Sequence, residues 1–249
     1  MSGTDCAKPI CILSLGGGVN SVALFFYLLK NGFDIDEVVF ADTGSELPET
    51  YSIIERFKQV CLDKNILFSV VKRGGKSLYD YYFDKKACPS RMRRDCTSKF
   101  KVSVIRSYLR SKYGKDKRFI MYIGIASEER HRAKLSDVSY VSLVYPFVYA
   151  QVNREDCYKI CKDNGFGDVV KSGCFCCPFT KKDGWKSLFS KHPDLFDKAL
   201  LMEENCANKK VSLASIPLRD IKRKLVLPKE QLLLDDFEQV CDVAGGCFL

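Results

Sequence analysis

Ile10-Cys11-Ile12-Leu13-Ser14-Leu15-Gly16-Gly17-Gly18-Val19-Asn20-Ser21 is the stretch that decides the fold of this 249-residue chain. Its first six residues form a short apolar run of the kind a buried parallel strand requires. Three glycines then allow a sharp turn, and Val22, Leu24, Phe25, Leu28 and Leu29 follow at helical spacing, so a helix is expected over 19–30. A glycine loop between strand and helix aims backbone N–H groups and the positive helix end at one point, which makes it a cradle for phosphate or sulfate. It is not a Walker loop, because no Gly-Lys-Ser/Thr follows, and its spacing is not that of the dinucleotide fingerprint.

Working outward, the same alternation continues. Strands are expected over 38–41, 67–71 and 119–123, and helices over 48–63 and 98–112, with a broken polar region between 72 and 97. This rhythm marks an α/β fold: an open, mostly parallel sheet with flanking helices. From Pro146 the pattern turns helical, with segments over 154–164, 181–191 and 193–204 around the cysteine-rich loop 173–178. The expected organisation is therefore an α/β nucleotide-binding domain over 1–150 and a helical, cysteine-containing C-terminal extension with a flexible tail over 151–249.

The 46% hydrophobic content suffices for one principal core. No apolar run approaches the roughly eighteen residues of a membrane helix. Met1-Ser2-Gly3-Thr4-Asp5 lacks the pattern of an export signal, so a soluble cytoplasmic protein without membrane partners is expected. In a reducing compartment, thirteen cysteines against two histidines point to thiolate metal, cluster or redox chemistry rather than to disulfides. The charge of +9 is concentrated at Lys85, Lys86, Arg91, Arg93, Arg94, Lys99 and Lys101, and attracts phosphate on a nucleotide or on nucleic acid.

Three further blocks carry chemistry. Asp42-Thr43-Gly44, followed by Pro48-Glu49-Thr50-Tyr51, lies at a strand end, where open parallel sheets bind ligands. Asp42 and Thr43 suit hydrogen bonds to ribose or adenine, or a cap on the next helix. Gly124-Ile125-Ala126-Ser127-Glu128-Glu129-Arg130-His131-Arg132 follows another strand. Arg130 and Arg132 offer forked donors to phosphate or sulfate, Glu128 and Glu129 would position them, and His131 is a candidate acid. Cys174-Phe175-Cys176-Cys177 supplies a C-x-x-C pair that Cys96 joins, with Cys88 completing a four-thiolate iron–sulfur or zinc site or with three cysteines holding a cluster that has one open iron. Cys6, Cys11, Cys61, Cys157, Cys161 and Cys206 read as buried small hydrophobes.

In this order the blocks resemble the phosphoadenylylsulfate (PAPS) reductase-like family of the adenine nucleotide α-hydrolase, or PP-loop, superfamily. Gly16-Gly17-Gly18-Val19-Asn20-Ser21 is similar to its S-G-G-x-D-S loop, with Gly16 for serine and Asn20 for aspartate. The resemblance implies an adenine nucleotide (ATP, PAPS or adenylylsulfate) held by Gly16, Gly17, Gly18, Asn20, Ser21, Asp42, Thr43, Gly44, Arg130 and Arg132. It implies a metal site of Cys88, Cys96, Cys174 and Cys177 holding a four-iron four-sulfur cluster or zinc. Catalytic candidates are Asn20, His131 and Cys247, the last as a tail nucleophile. The implied activity is sulfonucleotide reduction with a thiol donor such as thioredoxin. Two alternatives stand beside it: ATP-dependent thiolation of tRNA or DNA, and a non-catalytic, zinc-stabilised nucleic-acid-binding module.

Overall fold

The computed structural model describes residues 8–208 and 211–226. The described residues divide into two compact units, 8–78 with 95–174, and 79–94 with 175–208 and 211–226. Whereas the change of sequence rhythm suggested a division after 150, residues 151–174 join the sheet unit in this partition and 79–94 join the helical one.

In the first unit β1 (Ile10–Leu15), β2 (Glu37–Asp42), β3 (Leu67–Lys72), β4 (Phe119–Ile123) and β5 (Val141–Val144) form one sheet in the order β3-β2-β1-β4-β5, with every pairing parallel. The expected α/β class is therefore found. Register is set by pairs such as Leu13↔Val38 and Leu13↔Tyr122. Side chains alternate across the pleat. Cys11, Leu13 and Leu15 join one core, with residues of α1 (Val19–Lys30) and α2 (Pro48–Asp63), among them Phe25, Ile53 and Phe57. Ile12, Val39 and Met121 face the other core. Phe25 and Phe57 are fully buried, and their rings meet edge to face at 4.7 Å. Truncating either to alanine costs about 3–5 kcal/mol.

Next come α3 (Leu78–Asp84), the single turn α4 (Asp95–Thr97), a π-helical turn over Ser98–Val102 and α5 (Ser103–Tyr113). The helix expected over 98–112 is thus interrupted by a wider turn. That turn buries Phe100 under the Arg73 guanidinium and sends Lys101 to Glu46. Ile105 and Leu109 of α5 complete the second core. After β4 come a 3-10 turn over Ser127–Arg132, β5, the short α6 (Pro146–Tyr149) and α7 (Arg154–Asp163). An Asn153/Asp156 capping box starts α7, whose Cys157 and Cys161 pack into the first core.

At the N-terminal end of β2, Glu37 is completely buried and held by Tyr108, Lys112 and Tyr113 of α5 at 2.6, 2.9 and 2.7 Å. Burial pushes its carboxyl up, but these donors and Ser69 outweigh burial and hold it below the usual carboxylate range.

The second unit contains α8 (Lys182–Lys191), α9 (Pro193–Asn205) and α10 (Leu218–Val226). Trp185, Phe189 and Phe196 form its aromatic centre. The buried Glu203 carboxylate accepts from the Leu213 and Leu218 N–H groups, each at 2.7 Å, and so ties the segment before α10 to α9. No helix among the described residues is long and apolar enough to cross a membrane.

Candidate functional site

The strand order reverses direction at β1 and β4, and the segments leaving their C-terminal ends flank the switch point where open parallel sheets bind ligands. The glycine loop leaves β1 there. Gly17 has φ +71°, and a Cβ on it would lie 2.8 Å from Thr50 Cγ2; a Cβ on Gly18 would lie 2.6 Å from Ser172 Oγ. Gly17 therefore takes no side chain without strain, whereas at Gly18 the Ser172 hydroxyl would have to turn away and the Ser172 backbone N, at 3.1 Å, to give slightly. No side chain caps α1 at Gly18, which leaves the helix N-terminus to other acceptors. Ser21 is turned inward: its hydroxyl accepts from Gly16 N–H at 3.1 Å and donates to Gly18 O at 3.0 Å, so it braces the loop.

The segment after β4 presses against the loop. A Cβ on Gly124 would lie 2.7 Å from Asn20 O and 2.9 Å from Ser21 Cα. Asn20 Nδ2 donates to Glu129 Oε2 at 3.2 Å, while Asn20 Oδ1 is buried without a hydrogen-bond partner. Glu129 also pairs with Arg132 through Oε1 and with Arg154 through Oε2, each at 2.9 Å. Burial pushes the Glu129 carboxyl up, but the two guanidinium groups outweigh burial and lower it. Arg130, His131 and Arg132 are exposed. Glu129 thus positions Arg132 as expected from sequence. Arg154, from α7, is the residue that sequence reasoning missed, because nothing in the spacing from 129 to 154 predicts the contact.

At the end of β2, Asp42 is 5% exposed and its carboxylate is occupied internally. It accepts from Gly44 N–H at 2.7 Å and from Tyr51 OH at 2.8 Å, and pairs with Lys72 at 2.8 Å. Burial pushes the carboxyl up, but Lys72, Gly44 and Tyr51 together outweigh burial and hold it below the usual range. Asp42 therefore shapes the turn in which Gly44 takes φ +68°. Neither Asp42 nor Thr43 caps α2, whose N-cap is Leu47 without a side-chain cap. Thr43 Oγ1 donates to Glu46 Oε1 at 3.2 Å and lies 3.3 Å from Cys174 Sγ. Glu46 Oε1 also receives Lys101 at 2.9 Å. An antiparallel bridge joins Glu46 to Cys174, and Leu47 N–H donates to Gly173 O, so this thiol is fixed beside the Asp42-Thr43-Gly44 turn.

Cys96 and Cys174 belong to the first unit and are partly exposed, whereas Cys88 and Cys177 belong to the second. Cys88 is buried, donates to Met202 O at 3.6 Å and lies by Cys206; burial, then Cys206, pushes its thiol well up. Among the described residues no group of three or more His, Cys, Asp or Glu is gathered to hold a metal ion. Cys247 lies outside the described residues. Cys11, Cys61, Cys157, Cys161 and Cys206 are buried as expected, and burial pushes the Cys61, Cys157 and Cys161 thiols up to about 12.

A parallel sheet with a glycine loop at its switch point and a D-T-G turn one strand over defines an open α/β protein whose candidate ligand site lies at the carboxyl ends of its strands. The chain belongs to the phosphoadenosine phosphosulfate reductase domain family, whose model matches residues 10–144, just over half of it. It is 22% identical over 207 residues to an uncharacterised protein of Methanocaldococcus jannaschii, covering 77% of this chain. The match spans 40% of that relative's length.

Among solved structures, the phosphate complex of phosphoadenylyl-sulfate reductase from Candida auris is similar at TM-score 0.46 and 12% identity, covering 66% of this chain and 76% of that one. The U34-tRNA thiolase of Methanococcus maripaludis with its four-iron four-sulfur cluster is similar at TM-score 0.43 and 13% identity, covering 91% and 85%. The ammonia-dependent NAD synthetase of Campylobacter jejuni, with a nitrate ion, is similar at TM-score 0.40 and 11% identity, covering 90% of each chain.

Proposed function

We propose that this chain binds an adenine nucleotide at the switch point and carries out sulfur chemistry on it, as a sulfonucleotide reductase or a sulfurtransferase. The reading rests on the glycine loop, where Gly17 has a left-handed backbone packed against Thr50 and α1 has no side-chain cap. An uncapped helix end behind N–H groups suits a phosphate or sulfate. Arg130 and Arg132 supply cationic donors, and the turn at Asp42, Thr43 and Gly44 receives the nucleoside.

For reduction, a thiolate of this chain attacks the sulfur of the bound sulfonucleotide. The S–O bond breaks, the adenosine phosphate leaves with the electron pair, and a second thiol, for instance on thioredoxin, reduces the resulting enzyme S-sulfonate with release of sulfite. Cys174 is the described thiol at the D-T-G turn, and Cys247 is the sequence candidate on the tail. For transfer, a carbonyl oxygen of a tRNA or DNA base would attack the α-phosphate of ATP with release of pyrophosphate, and a sulfide-level sulfur nucleophile would then displace AMP. The basic stretch from Lys85 to Lys101 suits that acceptor and supports this second reading. A four-iron four-sulfur cluster or zinc with Cys96 and Cys174 among its ligands belongs to the same proposal.

The test is calorimetric titration of ATP and PAPS into wild type, Gly17→Ala and Asp42→Asn. Affinity should fall at least tenfold in Gly17→Ala, where the side chain meets Thr50. Unchanged affinity in both variants would remove the basis of the proposal. Sulfite release from PAPS selects reduction, and AMP formation from ATP stimulated by tRNA or DNA selects transfer. Equal RNA binding with and without nucleotide, and no turnover of either, selects the non-catalytic module.

A further inference from the structure

We infer that Arg154 is an oxyanion-binding residue of the glycine-loop site, positioned by Glu129, and that position 20 carries asparagine because Glu129 stands beside it. The inference rests on the nucleotide reading above and assigns the group that meets the ligand's phosphate or sulfate. Glu129 Oε2 is shared between Asn20 Nδ2 and Arg154 Nη2, at 3.2 and 2.9 Å. One carboxylate oxygen therefore brings the α7 guanidinium to the first turn of α1. The backbone N–H of Arg154 is fixed as well, donating to Glu128 Oε1 at 3.1 Å.

Only part of the guanidinium is used in this arrangement. Arg154 Nη2 meets Glu129, Nε is buried with no hydrogen-bond partner, and the side chain as a whole is 39% exposed. An oxyanion at the loop that meets the exposed part of the guanidinium gains a charge-assisted hydrogen bond there. With Arg132 on its other oxygen, Glu129 carries two cations against its single charge, so the group as a whole remains positive and suits an anion.

The same geometry accounts for the departure from the S-G-G-x-D-S pattern. Glu129 Oε2 requires a donor from residue 20, and the asparagine amide provides one. An aspartate there would set two carboxylates at hydrogen-bond distance and compete with Glu129 for Arg154.

Titration of ATP and of PAPS into wild type, Arg154→Ala, Asn20→Asp and Asn20→Asp/Glu129→Gln, at several KCl concentrations, tests the inference. Arg154→Ala should weaken binding about tenfold or more and flatten its dependence on salt, because one cation has left the site. A purely structural role at the start of α7 would lower thermal stability and leave the salt dependence unchanged, which would overturn the assignment. Weakening confined to PAPS places its sulfate or 3′-phosphate at Arg154, and weakening confined to ATP places the polyphosphate there. Asn20→Asp should weaken binding, and Glu129→Gln in the same chain should restore much of it; an unchanged Asn20→Asp variant would overturn the account of position 20. Binding by wild type with unaltered affinity in Arg154→Ala overturns the receptor alone. No binding of either nucleotide by wild type overturns the nucleotide reading and the receptor with it.

Discussion

Gly124→Ala is the substitution that most directly tests how the site is assembled. The added methyl carbon would stand 2.7 Å from Asn20 O, 2.8 Å from Asn20 C and 2.9 Å from Ser21 Cα. All three are backbone atoms in the first turn of α1, so no side chain can rotate away. Forcing an extra carbon into a packed interior costs about 1–3 kcal/mol, and the rigid neighbours place this variant near 3 kcal/mol. For a chain of this size that is a fall in Tm of roughly 6–12 °C. Because the displaced atoms belong to the glycine loop proposed to hold the nucleotide, affinity for ATP or PAPS should fall by about tenfold or more in the same variant. Gly74→Ala is the control, since a Cβ there meets nothing within 4 Å. It should leave stability within about 0.5 kcal/mol of wild type. Thermal unfolding followed by circular dichroism, with calorimetric titration on the folded protein, measures both effects. A Gly124→Ala protein whose Tm and affinity match those of Gly74→Ala would refute the close approach of β4 to the loop.

Glu37→Gln removes the charge at the centre of the Tyr108, Lys112 and Tyr113 cluster and should cost about 3 kcal/mol in urea unfolding, at the low end for losing one partner of a buried pair because Lys112 keeps some solvent contact. Since the folded Glu37 carboxyl is held below its ordinary value, its contribution is present above that value and is lost as pH falls through the lower, folded one. Wild type should therefore lose its advantage over Glu37→Gln on acidification below about pH 4, and a constant difference between pH 3 and 7 would contradict this. Iron, sulfide and zinc analysis of oxygen-free preparations addresses the cysteines. A site shared by Cys96 and Cys174 loses its metal in both Cys96→Ala and Cys174→Ala, whereas full metal content in both variants removes them as ligands.

Much of the first unit was legible because local signals agreed with the global fold. β1, α1, α2 and β4 occur at the bounds expected from apolar runs, glycines and Pro48. β5 and α3 escaped notice. Val141–Val144 has only four residues, and Leu78–Asp84 is rich in tyrosine, so neither carries a strong periodic signal. The π-helical turn over Ser98–Val102 was likewise invisible, since its wider spacing is stabilised by Phe100 and Lys101 meeting distant partners.

The sequence by itself determined the parallel α/β class, the glycine loop and the D-T-G turn, because these depend on backbone conformations and periodicities that neighbouring residues enforce. Tertiary structure alone decided which groups meet. Asn20 and Glu129 are 109 residues apart, and Thr43 and Cys174 are 131 apart. Arg154 reaches the loop because α7 packs on the same face of the sheet as α1. Asp42 proved to be saturated by Lys72, Gly44 and Tyr51, an arrangement created by β3 pairing with β2 and by α2 folding back behind the turn. Contacts of that kind follow from strand order and helix packing, for which no local pattern in the chain carries a signal.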